Sequence, residues 1–546
     1  MLKDAVTYGR FLAGLPGFVR NRIDPTEARE LVIRRLENRD ENFLSLLRRG
    51  NFTHPASPYG RLMQLAGCER GDLEALIRDR GLHDALSELR RGGVYITFEE
   101  FKGRSPLVRH GVEIPLRFDS FDNPFLSRYY HQATGGSTGA SRQASMDIDY
   151  LLDSAIDRAA FDPIIGLAEG PMALWMSGLP GPGLAHALKR AAYGQAPERW
   201  FSSMAAGPHR PPRKFRWAEK GMLWTARLAG AGIPFPEQVT AGEADIPARW
   251  LADALEREGK AIMYSGVSDA FRVALTAKKL GIDLTGAVMS VGGEPPTPAK
   301  AEAIRETGAL FRPSYAFTEA GAIGLACPDP AHFDELHFLA HKLELIQAPR
   351  AVGQEGHIVQ SFYFTSLLDT APKLLLNVEI DDYGEVFERA CGCGFEEMGF
   401  HRHLRQIRSF AKLTGEGVTL VGTDMIRILD TVLPARFGGT PLDYQLIEEE
   451  DDEGFTRLNI VVAPGVELSD ESEVVDVLLD ALANGQADAV ISQRIWKQAS
   501  TIRVRRMSPI ATSRGKLFPL HVVSRGGVDD DSRKRPDGRS GEVRPS

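Results

Sequence analysis

The sequence predicts an α/β protein with a large domain of alternating strands and helices and a small α+β domain after it. Three observations carry this expectation. At 546 residues the chain exceeds what one compact core usually holds. Between residues 111 and 407, short apolar strands alternate with helical stretches, the pattern of largely parallel strands joined by crossover helices. After residue 408 the texture changes to a hairpin, a helix and one more strand.

Taken in order, residues 1–110 read as helical. "DPTEARELVIRRLENRDENFLSLLRRG" sets apolar residues at helical spacing behind Asp24 and Pro25, a helix start signal. "ERGDLEALIRDRGLHDALSELRRGG" repeats the style and stops at a glycine pair, and "GVYITFEEFKGR" predicts a short strand and a turn. In the large α/β region, 111–407, "GAVMSVGG" and "GHIVQSFYFTSL" read as strands, "DAFRVALTAKKLG" and "TPAKAEAIRETG" as helices. The small C-terminal domain, 408–524, is expected to hold a hairpin in "DYQLIEEEDDEGFTRLNIVVAPG", a helix in "DESEVVDVLLDALANG" and a strand in "WKQASTIRVRRMSP". Residues 525–546 are charged and rich in Gly and Pro with no core-forming pattern, so a disordered tail is expected there.

Composition narrows the function. The 65 basic and 73 acidic residues give a net charge of -8, which argues against a nucleic-acid or anionic-membrane partner. No apolar run approaches the roughly 20 residues that span a bilayer. Lys3, Asp4 and Arg10 interrupt the N-terminal apolar stretch, which makes it a poor signal peptide. Four cysteines are too few for a disulfide scaffold, so a cytoplasmic location is expected.

Three stretches carry chemistry. In "HQATGGSTGASRQ", Thr134, Gly135, Gly136, Ser137, Thr138 and Gly139 lie between a strand-like segment and the helix "MDIDYLLDSAIDRAAF". Such a stretch is either a plain surface loop or a cradle whose backbone N–H groups and hydroxyls converge on phosphate. It lacks the Gly-Lys-Ser/Thr ending of a Walker A loop. In "VMSVGGEPPTPAKAEAI" a strand ends at Gly292, Gly293 and Glu294 and a proline-rich turn opens a helix. "RPSYAFTEAGAIG" places Tyr315, Thr318 and Glu319 behind another strand.

In this order and at these separations, "TGGSTG", "GGEPPTP" and "SYAFTEAG" resemble the adenylate-forming superfamily of acyl-CoA synthetases, peptide-synthetase adenylation domains and luciferases. Within it the likeness is to the phenylacetate–CoA ligase-like branch. "NVEIDDYGEV", "IRSFAKLTGEGV" and "SPIATSRGKLFPL" extend the resemblance over roughly residues 111–524.

The resemblance implies ATP-dependent conversion of a carboxylic acid to an acyl-adenylate, then transfer to a thiol, either CoA or the phosphopantetheine of an acyl carrier protein. Related alternatives are an amine or protein-cysteine acceptor, or a nucleotide-binding homologue without turnover. It also implies roles. The 134–139 loop would hold the β- and γ-phosphates, with Thr138 taking part in catalysis. Glu319 would bind Mg²⁺, a hard cation that takes oxygen ligands. Tyr315 would flank adenine, with Gly293 and Glu294 along its edge and Thr318 beside them. Asp382 would accept from the ribose hydroxyls, in competition with Asp381, and Arg408 would assist. Lys516 would bridge the attacking carboxylate and the α-phosphate. The pattern departs from the family at Ala140-Ser141-Arg142, where Arg142 can still meet phosphate, at Ala316-Phe317 after Tyr315, and at the hinge, which falls on Phe410 or Ala411.

Two further expectations come from the residues themselves. Trp175 and Met176 in "LWMSGLPGPGLAHAL", and Ser265 and Val267 in "MYSGVSDAFRVAL", are candidates for the acid pocket or for buried core. Cys391-Gly392-Cys393, with Cys327 and His337, forms a Cys₃His set of the kind that holds a structural zinc, or else ordinary free thiols. Some members of the branch carry a similar arrangement.

Overall fold

The computed structural model describes the chain except for residues 1, 51, 53, 55–56, 134–142, 205–210, 353–356, 410–413, 416–417, 420–422, 451–455, 484–501, 512–516, 518 and 524–546. Among the described residues, twelve strands form one large sheet. In chain order they are β1 (Met172–Trp175), β2 (Arg199–Ser202), β3 (Glu237–Gln238), β4 (Ala261–Gly266), β5 (Ala287–Gly292) and β6 (Leu310–Phe317). Next come β7 (Gly321–Ala326), β8 (Leu336–Phe338), β9 (Leu343–Val352), β10 (His357–Ser366), β11 (Val378–Glu388) and β12 (Arg402–Ser409). Their order across the sheet is β9-β10-β11-β12-β8-β7-β6-β5-β4-β1-β2-β3.

The half from β6 to β3 is parallel, as the strand–helix alternation predicts. Its strands β1, β2, β4 and β5 are buried on both sides along most of their length, and side chains alternate between two cores because successive residues face opposite ways. Met172, Leu174, Ile262 and Tyr264 join one core, with the helices α1 (Leu2–Arg20), α2 (Ile148–Phe161) and α3 (Gly183–Ala192). Ala173, Trp175, Ala261 and Met263 join the other, with α4 (Val267–Leu280).

The half from β7 to β12 is antiparallel, which differs from the expectation of largely parallel strands. Here β9 and β10 pair along ten residues, from Leu343 opposite Ser366 to Val352 opposite His357. A short connection between two long strands folds them back as a hairpin, since a parallel pair needs a crossover of a dozen residues or more.

Six helices lie between Leu2 and Phe101 among the described residues, and they contribute to the main cores. Phe11 and Leu15 of α1 pack with Leu174, and Phe43, Leu73 and Ile77 pack with Leu345, Phe362 and Phe364. The stretch read as a strand and turn at 93–104 instead supplies a single bridge, Ile96 to Val378, and the four-residue helix Phe98–Phe101. Thr97 caps that helix, accepting from Glu100 N while the Glu100 carboxylate accepts from Thr97 N. Two paired strands, Tyr129–Ala133 and Gln143–Asp147, flank the Gly-rich stretch in the sequence, and Asp147 then caps α2.

The smaller unit after β12 holds a four-stranded sheet of β13 (Tyr444–Glu450), β14 (Thr456–Val462), β15 (Ile502–Arg506) and β16 (Leu520–Val523) in the order β15-β14-β13-β16. The predicted hairpin is β13 against β14, with Tyr444 opposite Val462. The helix α5 (Glu471–Ala483) covers the sheet through Val474, Leu478 and Leu479. The described structure is thus mixed α/β, with one large sheet domain and a smaller C-terminal unit. No described helix is long and apolar enough to cross a membrane.

Candidate functional site

A cavity of about 490 Å³ opens where the parallel strands end. Trp175 ends β1, Ser265 and Gly266 end β4, Val291 and Gly292 end β5, and Ala316 and Phe317 end β6; all line it. Pockets in open parallel sheets form at this carboxyl edge because the loops diverge there.

The "GGE" turn lies on the cavity wall. Gly293 has φ +82°, and a side chain on Gly292 would meet Ser314 Oγ at 2.8 Å. Both positions therefore require glycine. Glu294 points away from the cavity. Its carboxylate accepts from Ser268 N and Ser268 Oγ, both at 2.8 Å, and so caps the start of α4. A carboxylate there also complements the helix dipole.

The turn between β6 and β7 presents Thr318 and Glu319 to the cavity. Glu319 is 4% exposed, and Lys102 Nζ donates to its Oε1 at 3.1 Å. Lys102 itself lies over the rings of Phe98 and Phe101. Tyr315 packs near Phe317 and Phe364, and its hydroxyl donates to Asp382 Oδ2 at 2.6 Å. Burial and the neighbouring Asp382 push that hydroxyl well above its ordinary range. Asp381 and Asp382 both line the cavity, and Ser409 Oγ donates to Asp381 Oδ2 at 2.6 Å. Arg408 is buried beside this strand pair, off the cavity wall. It donates to the Ile407 carbonyl at 2.8 Å and stands 4.0 Å from Asp334, while its Nε is buried with no hydrogen-bond partner among the described residues.

Of the candidates for the acid pocket, Trp175, Met176 and Ser265 line the cavity. Val267 does not; it is fully buried in the core between α4 and the sheet. Thr134, Gly135, Gly136, Ser137, Thr138, Gly139, Arg142, the hinge position at Phe410 or Ala411, and Lys516 lie outside the described residues.

Several polar groups on the cavity wall were not singled out in the sequence. Asp157 and Arg158 come from α2, His186 and Lys189 from α3, and Lys342 from the turn before β9. Asp157 accepts from His341 Nε2 and Lys342 Nζ, each at 2.8 Å. Burial alone would raise this carboxyl, but the adjacent Lys342 and His341 outweigh it and hold the group well below its usual range. The available signal was the polar pair His186 and Lys189, three apart on the helix "GLAHALKRAA", whose only other polar side chain is Arg190.

A second constellation lies at the far ends of β7 and β11. The ligand atoms of Cys327, His337, Cys391 and Cys393 all fall within 4.8 Å of one another. Cys391 Sγ and Cys393 Sγ are 3.2 Å apart, and His337 Nε2 lies 3.2 Å from Cys393 Sγ and 3.6 Å from Cys391 Sγ. Gly392 turns the chain with φ +69°, and Cys391 N and Gly392 N donate to Glu396. His337 Nδ1 is 2.9 Å from the Phe400 carbonyl. A proton on Nδ1 satisfies that carbonyl and leaves the Nε2 lone pair aimed at the sulfurs, the orientation metal-ligating histidines take. The four expected zinc ligands are therefore brought together, and their donor chemistry fits that ion. Cys68 lies apart from them.

No family model and no curated protein matches the sequence. Among solved structures, the chain is similar at 13% identity and a TM-score of 0.45 to a 2-hydroxyisobutyryl-CoA ligase in complex with 2-HIB-AMP and CoA, over 92% of this chain and 91% of that one. It is similar at 14% identity and a TM-score of 0.40 to the amide bond synthetase McbA from Marinactinospora thermotolerans, over 89% and 92% of the two chains. The O-succinylbenzoate coenzyme A synthetase MenE from Bacillus subtilis, in complex with ATP and magnesium, is similar at 12% identity and a TM-score of 0.42, over 80% and 81%.

Proposed function

We propose that this chain is an AMP-forming acid–thiol ligase of the phenylacetate–CoA ligase-like branch. The observation that carries the reading is convergence. Gly293, Thr318, Glu319 and Asp382 come from three separate sequence motifs, and all face one cavity at the carboxyl edge of the parallel strands.

In this reading a carboxylate oxygen of the acid attacks the α-phosphorus of ATP, the bond to the bridging oxygen breaks and pyrophosphate leaves. A thiol sulfur of CoA or a carrier-protein phosphopantetheine then attacks the acyl carbon. The bond to the AMP oxygen breaks, and the thiol proton is lost to solvent. Asp382, or its neighbour Asp381, takes the ribose hydroxyls, and Tyr315 orients Asp382 through its hydroxyl. Glu319 would hold Mg²⁺, which would offset phosphate charge; Lys102 supplies the countercharge to Glu319 in this structure. The 134–139 loop with Arg142 takes the phosphates, Arg408 assists at the ribose, and Lys516 acts in adenylate formation. Trp175, Met176 and Ser265 contribute to the acid pocket. Residues 1–110 belong with the large domain, 408–524 form the smaller moving one, and the site of action is the cytoplasm.

A structural zinc belongs to the same reading. Cys327, His337, Cys391 and Cys393 would hold it with four protein ligands and no open position, so it would take no part in the reaction. It would tie the end of β7 to the loop after β11. Glu319 lies in the turn that leads into β7, and Asp382 lies within β11.

Acid-dependent exchange of pyrophosphate into ATP, over aryl, fatty, amino and dicarboxylic acids, tests the function. One acid class should support exchange, and Glu319→Ala should abolish it while Glu319→Asp retains a little. Absence of exchange with every class, or normal exchange in Glu319→Ala, would overturn the reading.

A further inference from the structure

The cavity end formed by α2 and α3 is unusually cationic for a buried place. Arg158, Lys189 and Lys342 line it, and Arg190 lies directly behind. Against these four cations stand two carboxylates. Asp157 is taken by Lys342 and His341. Asp162 is shared by Arg190 and Arg158 and also accepts from the Tyr193 hydroxyl. Arg190 is further held by the Leu167 carbonyl and Tyr264. These contacts leave Lys189 over. Among the described residues no hydrogen bond or ion pair involves it, although its helix is packed on the sheet and its side chain lines the cavity.

Excess positive charge in a low-dielectric place is costly unless an anion answers it. The lysine responds as this argument requires: burial first, then Arg158 and Lys342, lower it to about 7. His186, one turn earlier on the same wall, is pushed well below its ordinary value by burial first and then by Lys189, Arg158 and Arg190. A pocket for a purely apolar acyl or aryl group has no use for this arrangement. Trp175, Met176 and Tyr264 supply apolar surface beside it, so the pocket offers a body for an acyl chain and a charged end.

We propose that the acid activated here carries a second carboxylate, distal to the reacting one, and that Lys189 and Arg158 receive it at the α2–α3 end of the cavity. The substrate class is thus a dicarboxylic acid. This deepens the ligase reading above and rests on it for the reacting carboxylate. Lys189 approaches the distal group without a competing partner, and Arg158, angled over Tyr264 and anchored on Asp162, presents the planar fork that suits a carboxylate. A monoacid of equal length would leave the lysine unanswered, the situation in which a site discriminates by its own unpaired polar group.

Pyrophosphate exchange with matched pairs, adipate against hexanoate and isophthalate against benzoate, tests this in the full-length wild-type protein, Lys189→Met and Lys189→Arg. In one pair at least, the wild type should favour the diacid by roughly 10- to 100-fold in kcat/KM, the worth of one or two hydrogen bonds to a charged group. The ratio should collapse toward one in Lys189→Met and largely return in Lys189→Arg. Monoacids accepted as well as diacids by the wild type, an unchanged ratio in Lys189→Met, or an effect falling on the KM for ATP would overturn the proposal while leaving the ligase reading intact. If no acid supports exchange, the ligase reading fails. The pocket is then judged by adipate binding alone: a thermal shift in the wild type absent from Lys189→Met upholds an anion site, and no shift in either removes it.

Discussion

Cys393→Ser should cost the protein its zinc and much of its stability together. Tetrahedral zinc with bonds of about 2.3 Å to sulfur and 2.05 Å to nitrogen sets sulfurs about 3.8 Å apart and sulfur about 3.5 Å from nitrogen. The separations between Cys391, Cys393 and His337 are 3.2, 3.2 and 3.6 Å. These donors need move by only about half an ångström, so little of the binding free energy is consumed in assembling the site. Structural zinc sites bind with roughly 10–16 kcal/mol, and that energy adds to folding. Losing one ligand of the four forfeits about a quarter of it, on the order of 3 kcal/mol, which weakens binding by roughly 100-fold or more and lets the ion be lost on purification. The assay is elemental analysis of protein purified without a polyhistidine tag, together with urea unfolding with and without chelator. The expected result is one zinc per chain in the wild type, a chelator-induced fall in the unfolding midpoint, and a similar fall in Cys393→Ser that chelator does not deepen. Cys68→Ser, at the cysteine outside the cluster, should leave metal content unchanged. Zinc well below one equivalent in the wild type, with a midpoint indifferent to chelator, would refute the reasoning even if the serine variant failed to fold.

Two other predictions concern catalysis and pH. Lys516→Ala should depress acyl-adenylate formation by roughly 100- to 1000-fold, the usual worth of one transition-state contact, while thioester formation from preformed adenylate is spared; equal loss in the two half-reactions would remove Lys516 from its role. Glu219, whose carboxylate accepts from Leu179 N at 2.7 Å, is raised by burial to about 7. Its protonated form therefore favours the fold, a contribution complete below about pH 4.5 and lost as pH rises through about 7. The loss amounts to at most about 3 kcal/mol. Glu219→Gln keeps an acceptor for Leu179 N, so its stability relative to the wild type should climb between pH 5 and pH 8 in urea unfolding, and a difference independent of pH would contradict this.

What was legible in the sequence was local. The glycine turn after β5 and the Thr-Glu turn after β6 announce themselves because a strand end, a tight turn and a polar tip are neighbours in the chain. The same holds for Cys391 and Cys393, one residue apart. What was not legible is partnership across distance. Glu319 meets Lys102 across 217 residues, and Asp157 meets Lys342 across 185, so neither pair leaves a trace in any local window. Glu294 shows the reverse failure. Its place in the turn is readable, but its direction depends on Ser268, which belongs to the preceding strand–helix unit. Val267 was ambiguous for a similar reason: it is the first residue of α4, where one step along the helix separates the cavity from the core.

The choice between Asp381 and Asp382 has a physical reason for resisting a sequence reading. In a regular strand, successive side chains face opposite sides, so only one member of an adjacent pair can face a given cavity. A reader assuming regularity must choose, and the choice turns on a one-residue register. The strand here is not regular. Asp381 has φ +80°, a left-handed conformation that asparagine and aspartate tolerate better than most residues, and the pairing of β11 with β12 shifts just beyond, between Tyr383 and Glu385. The break in alternation turns both carboxylates to the cavity, where Ser409 holds one and Tyr315 the other. The two residues are thus not rivals for one direction. They form a pair with two different anchors, and a ribose bound beside them would meet a carboxylate fixed by a serine hydroxyl and another fixed by a phenol.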